Sequence, residues 1–277
     1  MDTLMPKNNS LILYFIIAFL IPIVATTIII LKEGLSADIA VVNVSTITLV
    51  VIMAMVHAPA IAAIIAAYQE QGFGGVKNIF RQLKYWKFAP KWYFKALFIF
   101  PLTIVGTSLI LALFSPNYTP VLNLTLLTFG TLLSAFWEEI GWTGYVTPRL
   151  LAKFSPLKVG LFFGLIHALW HLPADFWGSS VFHGNFYFIH YLVTGLGIVV
   201  LRIVSVWIYT QTKSLILGWI THASFTTGQL LFVSLALTAK ETIIWQTAFS
   251  CSLILVTIFI FAKNRDLNSI NIYKQPQ

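Results

Sequence analysis

The chain has 277 residues, of which 58% are hydrophobic and only 9% charged, with a mean hydropathy of +0.85 and a formal net charge of +8. A water-soluble domain carries roughly 25% charged residues, so this composition excludes an ordinary soluble enzyme and leaves an integral membrane protein. The positive charge is then read as topology and contact with anionic lipid rather than nucleic-acid binding.

In chain order, apolar runs predict an all-α, polytopic transmembrane bundle of about eight helices, near residues 10–31, 42–68, 93–114, 121–149, 157–174, 186–210, 214–235 and 242–262. The first run follows Lys7 but is too long for a signal peptide and lacks a small-residue cleavage site. No polar or Pro/Gly-rich stretch is long enough to be a linker, so residues 1–277 are expected to form one membrane domain. The single Cys251 excludes an intrachain disulfide.

Basic residues cluster in one set of connections. The run after the second helix holds Lys77, Arg81, Lys84, Lys87, Lys91 and Lys95. Arg149, Lys153, Lys158, Lys213, Lys263, Arg265, Lys274 and Lys7 fall on the same side. Only Lys32 and Lys240 fall on the other. Positive loops stay cytoplasmic, which places both termini in the cytoplasm; the short chain and the lack of a recognisable organellar or retention signal suggest a prokaryotic plasma membrane. The basic run, interleaved with Phe80, Tyr85, Trp86, Trp92 and Tyr93, reads as a membrane-surface segment.

Ionisable side chains inside hydrocarbon are costly and tend to be functional. Glu138 and Glu139 lie in the fourth span, His167 and His171 in the fifth, Arg202 in the sixth and His222 in the seventh. At a rise of 1.5 Å per residue, Glu139, His167, His171 and His222 lie about 14–20 Å from their cytoplasmic helix ends. They share one slab and can form one site. His167 and His171 share a helix face, as do His222 and Thr226, whereas Glu138 and Glu139 point about 100° apart and are expected to do different work.

A carboxylate in a dry pocket can act as general base on water, and histidines can ligate a metal or donate to an oxyanion. The residues alone leave three uses open: hydrolysis, a proton or ion pathway, and structural pairing. His57, His183 and His190 are read as packing or surface histidines, and Asp175 as a cap or water-facing residue at the outer end of the fifth helix.

Three blocks, EEIGWTGYVTPRL (138–150), HALWHLP (167–173) and HASFT (222–226), resemble the EExxxR, F/WxxxH and HxxxN blocks of the CAAX protease and bacteriocin-processing (CPBP, Abi) family of intramembrane metalloproteases, which includes the CAAX prenyl endopeptidase and lysostaphin-resistance-like proteins. The resemblance covers about residues 130–230 and sets a catalytic core near 120–235. It implies peptide-bond hydrolysis in a membrane-associated substrate: a CAAX-type protein, a peptide pheromone or a bacteriocin-related peptide. By position Glu138 is the water-activating carboxylate, Glu139 its partner, and His171 and His222 complete the site. Glu138, His171, His222 and His167 are candidate zinc ligands, beside a metal-free glutamate mechanism; no nucleotide or organic cofactor is implied.

The chain departs from the pattern at three places. Thr143 stands where the family has arginine, and Thr226 where it has asparagine. His167 occupies the aromatic position, with Phe163 and His167 offering a shifted match. Arg202 is expected to replace the missing arginine as counter-charge to Glu139. These departures keep a second reading open: a non-catalytic scaffold or self-immunity protein of the same fold.

Overall fold

The computed structural model describes residues 8–36 and 45–263; Lys7, Arg265 and Lys274 of the charge pattern lie outside them. The described residues form a helical bundle in the order α1 (Asn8–Glu33), α2 (Thr46–Arg81), α3 (Pro90–Ala112), α4 (Leu126–Gly141), α5 (Thr147–Leu151), α6 (Pro156–His183), α7 (Tyr187–Thr212), α8 (Leu215–Phe232) and α9 (Ala239–Lys263). A π-helical turn, Trp142–Val146, fuses α4 to α5, so each predicted span has its counterpart. Among the described residues five segments are long and apolar enough to cross a membrane, and one of them, Pro156–Thr212, contains both α6 and α7. The outward faces carry Leu20, Leu102, Leu113, Phe129, Leu192 and Leu255, all more than half exposed. An apolar surface of that extent is untenable in water and natural in lipid; the chain is an integral, multi-pass membrane protein.

The helix at the centre is α7. Every residue from Gly197 to Thr210 is buried, the signature of a helix with apolar neighbours on all sides. Two clusters flank it. One joins α1, α2, α4 and α6 through Tyr14, Ala63, Ile140 and Phe163; the other joins α3, α8 and α9 through Phe100, Phe225 and Trp245.

Close packing of α6 on α7 depends on Gly160 and Gly164, a G-x-x-x-G pair whose lack of side chains lets two helix backbones approach. A Cβ on Gly160 would meet the Ile203 Cα at 2.8 Å, and one on Gly164 the Val199 Cα at 2.8 Å. The two residue pairs run in opposite directions along the two helices, so α6 and α7 are antiparallel. This contact fixes the relative height of His167 and Arg202. Gly164→Leu is therefore expected to cost about 1–3 kcal/mol as overpacking, measurable as a lower unfolding midpoint in detergent.

The structure differs from the sequence reading in three places. The second helix runs on to Arg81, bending at Gln71 and Gly72, whose positive φ of 59° suits glycine. Pro173 does not end the fifth helix, which continues to His183. The predicted 121–149 helix is interrupted by the π turn, for which Pro148 supplies a reason. Proline has no N–H for the carbonyl four residues back, and that carbonyl, Gly144 O, instead accepts from the Gln82 side chain at 2.8 Å. Gln82 in turn accepts from the Tyr209 hydroxyl at 2.9 Å, tying α7 to the turn.

Candidate active site in the helix bundle

The last turn of α4 carries Glu138 and Glu139, both buried. Glu139 is fully enclosed and saturated with partners. It forms an ion pair with Arg202 of α7, accepts from the Thr143 hydroxyl one turn on, and meets His222 Nδ1 of α8 at 2.8 Å. A second Arg202 nitrogen lies 3.3 Å from its other oxygen. In low dielectric an unpaired carboxylate is very costly, and these contacts supply the counter-charge and hydrogen-bond partners that offset that cost. It is a fixed charge that orients its neighbours. Arg202 is itself fully buried, with its guanidinium 6.0 Å from the Phe163 ring.

Glu138 is different. Among the described residues its only side-chain hydrogen bond is from the Trp142 indole at 3.4 Å. Its Oε2 lies 3.6 Å from His167 Nε2 and 3.9 Å from His222 Nε2. Among the described residues, neither nitrogen of the fully buried His167 has a hydrogen-bond partner. With Nδ1–H donated to Glu139, His222 turns the lone pair of Nε2 towards Glu138, the second-sphere arrangement that fixes a histidine tautomer.

The geometry therefore brings together Glu138, Glu139, Thr143, His167, Arg202 and His222. The sequence reading gave His171 the principal role and kept His167 as an extra ligand. In the structure His167 faces Glu138, and His171 stands one turn away, its ring 4.9 Å from that of His167. His171 lines a cavity of about 170 Å³ together with His222 and Thr226. The Thr226 hydroxyl bonds its own helix, at 3.2 Å from the His222 carbonyl. Two other histidines were read as surface groups, but His183 and His190 are buried and stacked on each other, and Asp175 lies inside α6 rather than at its end.

Trp142 was missed as a site residue. Its place four residues after Glu138 was the available signal, since i and i+4 share a helix face.

Glu138, His167 and His222 each offer one donor atom, all within 4.8 Å of one another. Donors of a tetrahedral zinc at about 2.1 Å stand about 3.4 Å apart. The separations of 3.6 and 3.9 Å are near that spacing, so the donor set fits a metal such as zinc.

Residues 119–228, which contain all of these groups, match the model of the Type II CAAX prenyl endopeptidase Rce1-like family. A relative from Methanococcus maripaludis, CAAX prenyl protease 2, is 32% identical over 141 residues, 47% of this chain and 46% of the relative. The chain thus spans about half the length of the curated relative it matches.

Proposed function

Because residues 119–228 match the model of the Type II CAAX prenyl endopeptidase Rce1-like family, we propose that this protein is an intramembrane endopeptidase that hydrolyses a membrane-associated protein or peptide with water activated by Glu138. The observation that carries this reading is the asymmetry of the paired glutamates. Glu139 is held by Arg202, Thr143 and His222, while Glu138 Oε2 takes one long bond from Trp142 and faces two histidines within 3.9 Å.

A water held between Glu138 and His222 Nε2 would give its proton to Glu138 as its oxygen attacks the scissile carbonyl carbon. Glu138 then passes that proton to the departing amine nitrogen. An N–H of His167 can donate to the oxyanion, a role worth more in a dry pocket than in water. Glu139 and Arg202 act at one remove, by fixing the tautomer and position of His222. A metal at Glu138, His167 and His222 would add Lewis-acid polarisation of the water or carbonyl.

The name of the relative makes a prenylated CAAX-type protein the first substrate to try. The deciding comparison is the membrane-peptide profile of cells carrying wild type or Glu138→Ala at matched protein levels. Products present only with wild type are expected. Identical profiles would overturn proteolysis and favour a protein that binds without cleaving, a reading supported by a Thr226 hydroxyl turned to its own helix.

Elemental analysis decides the metal. A zinc-dependent site is expected to give about one equivalent in wild type, lost in His167→Ala and His222→Ala and kept in His171→Ala. Full activity in zinc-free protein would assign water activation to Glu138 alone.

A further inference from the structure

The α6–α7 hairpin holds a second concentration of polar groups that the catalytic reading does not use. Twelve buried side-chain nitrogen or oxygen atoms among the described residues have no hydrogen-bond partner, and six lie at the turn end of this hairpin: Asp175 Oδ2, Ser180 Oγ, His183 Nδ1, Tyr187 Oη (which lies near Asp175), His190 Nδ1 and Thr194 Oγ1. His190 Nε2 lies 3.8 Å from Asp175 Oδ1, and the Ser179 hydroxyl reaches the same oxygen at 3.5 Å. Buried polar groups are almost always satisfied by protein or by water, and hydrocarbon offers no partner at all. A metal is not the natural occupant. The His183 and His190 rings stack at 3.7 Å with planes 16° apart, and near-parallel imidazoles cannot aim their lone pairs at one ion.

Two of these groups reach the cavity described above. Asp175 and Thr194 line one part of it and His222 with Thr226 another, with His171 also in its wall. On α6, His167, His171 and Asp175 succeed one another every four residues, about 6 Å apart along the axis, forming a polar stripe from the glutamate level to the hairpin. A water requires roughly 10–15 Å³ of such space and two to four polar partners; about 170 Å³ has room for several, with partners at Asp175, Thr194, His171, His222 and Thr226 along a wall that Ile198, Leu201 and Phe225 otherwise make apolar.

We propose that the α6–α7 end of the bundle is a hydrated vestibule, and that the cavity past His171 delivers water from it to Glu138. The proposal rests on the hydrolytic reading for its purpose, since each turnover consumes one water inside a membrane. The hydration itself is independent of that reading. His171 is then the wall residue between vestibule and reacting groups, which gives it a place in the site distinct from that of His167. Water entry is placed at the face that carries the α6–α7 turn, opposite the Lys213 end of α7.

Cysteine accessibility tests this in the full-length protein, with Cys251→Ser as background and sealed vesicles labelled by a charged, impermeant methanethiosulfonate. Asn185→Cys, on the exposed turn, reports which side that turn faces. Thr194→Cys is expected to react from the same side, at least about tenfold faster than Leu192→Cys on the lipid face, because the thiolate is the reacting species and needs water to form. Equal rates would mean a dry cavity, and reaction from the opposite side only would mean another entrance; either overturns the proposal.

Thr226→Cys, at the inner part of the cavity, is expected to label from that same side and to slow about tenfold with Gly195→Leu added as a plug. Gly195→Ala, whose Cβ would meet only the Ala168 Cβ at 3.6 Å, is the milder plug that the packing accepts, with a smaller slowing. No slowing in either would overturn continuity between vestibule and site. Labelling needs no substrate: a dry cavity leaves proteolysis to the Glu138→Ala comparison, and a failed peptide comparison leaves the labelling result standing.

Discussion

Replacing His167 with alanine is expected to lower turnover about 10²–10⁴-fold, the range associated with a positioned acid–base group, whereas His171→Ala is expected to cost less than about tenfold. The two histidines lie on one face of α6, so only their level separates them. His167 Nε2 stands 3.6 Å from Glu138 Oε2 with no other partner for either ring nitrogen. His171 is one turn on, against Trp170 and the cavity. A group that donates to a developing oxyanion acts mainly in the transition state, so the His167 loss is expected in kcat more than in KM. His171→Ala alters a cavity wall and leaves Glu138, His167 and His222 in place. Steady-state cleavage of a peptide substrate by the reconstituted variants separates the two. His167→Gln controls for the volume lost at a fully buried position. Equal or larger loss in His171→Ala would restore the principal role to the residue that the sequence reading preferred.

The preference for His171 shows where sequence reasoning runs out. Helix depth put Glu139, His167, His171 and His222 within one slab, because the bilayer fixes helix length and charged connections mark the helix ends. Depth along an axis does not resolve one turn, and both histidines satisfy the same facial periodicity. What resolves the turn is the Gly160 and Gly164 contact with Ile203 and Val199, which sets α6 against α7 at one height.

Pro148 and Pro173 make the same point. Both remove a backbone donor, yet one accompanies a π turn whose free carbonyl finds Gln82, and the other sits within a helix that continues. Proline's local chemistry was visible in the sequence, but the neighbouring helices decide what it does to the chain. Arg202 was legible for the opposite reason. A charge inside hydrocarbon needs a partner, and Glu139 had lost the arginine of its own helix at Thr143.

Arg202→Met is expected to be strongly destabilising, at about 3–5 kcal/mol, because it strands the Glu139 carboxylate without a counter-charge. Both side chains are fully buried, and Arg202 reaches both carboxylate oxygens. The Thr143 and His222 bonds that remain carry no full positive charge unless His222 is protonated. The double variant Arg202→Met/Glu139→Gln removes both charges, and most of the stability is expected to return, since replacing a whole buried ion pair is often neutral. Unfolding midpoints of the four proteins in detergent close the cycle, and additive losses would mean that the two residues are not coupled.

Activity is expected not to return with stability, because the neutral amide introduced by Glu139→Gln no longer fixes the tautomer of His222. Nor is Thr143→Arg expected to rescue Arg202→Met by restoring the arginine of the same helix. A Cβ on Gly218 of α8 would already meet the Thr143 side chain at 2.9 Å, so α8 occupies the space that a longer residue needs. A small residue at 143, glycine at 218 and arginine at 202 thus form one solution to the burial of Glu139, in which the counter-charge comes from the central helix and α8 packs closely enough for His222 to reach the glutamates.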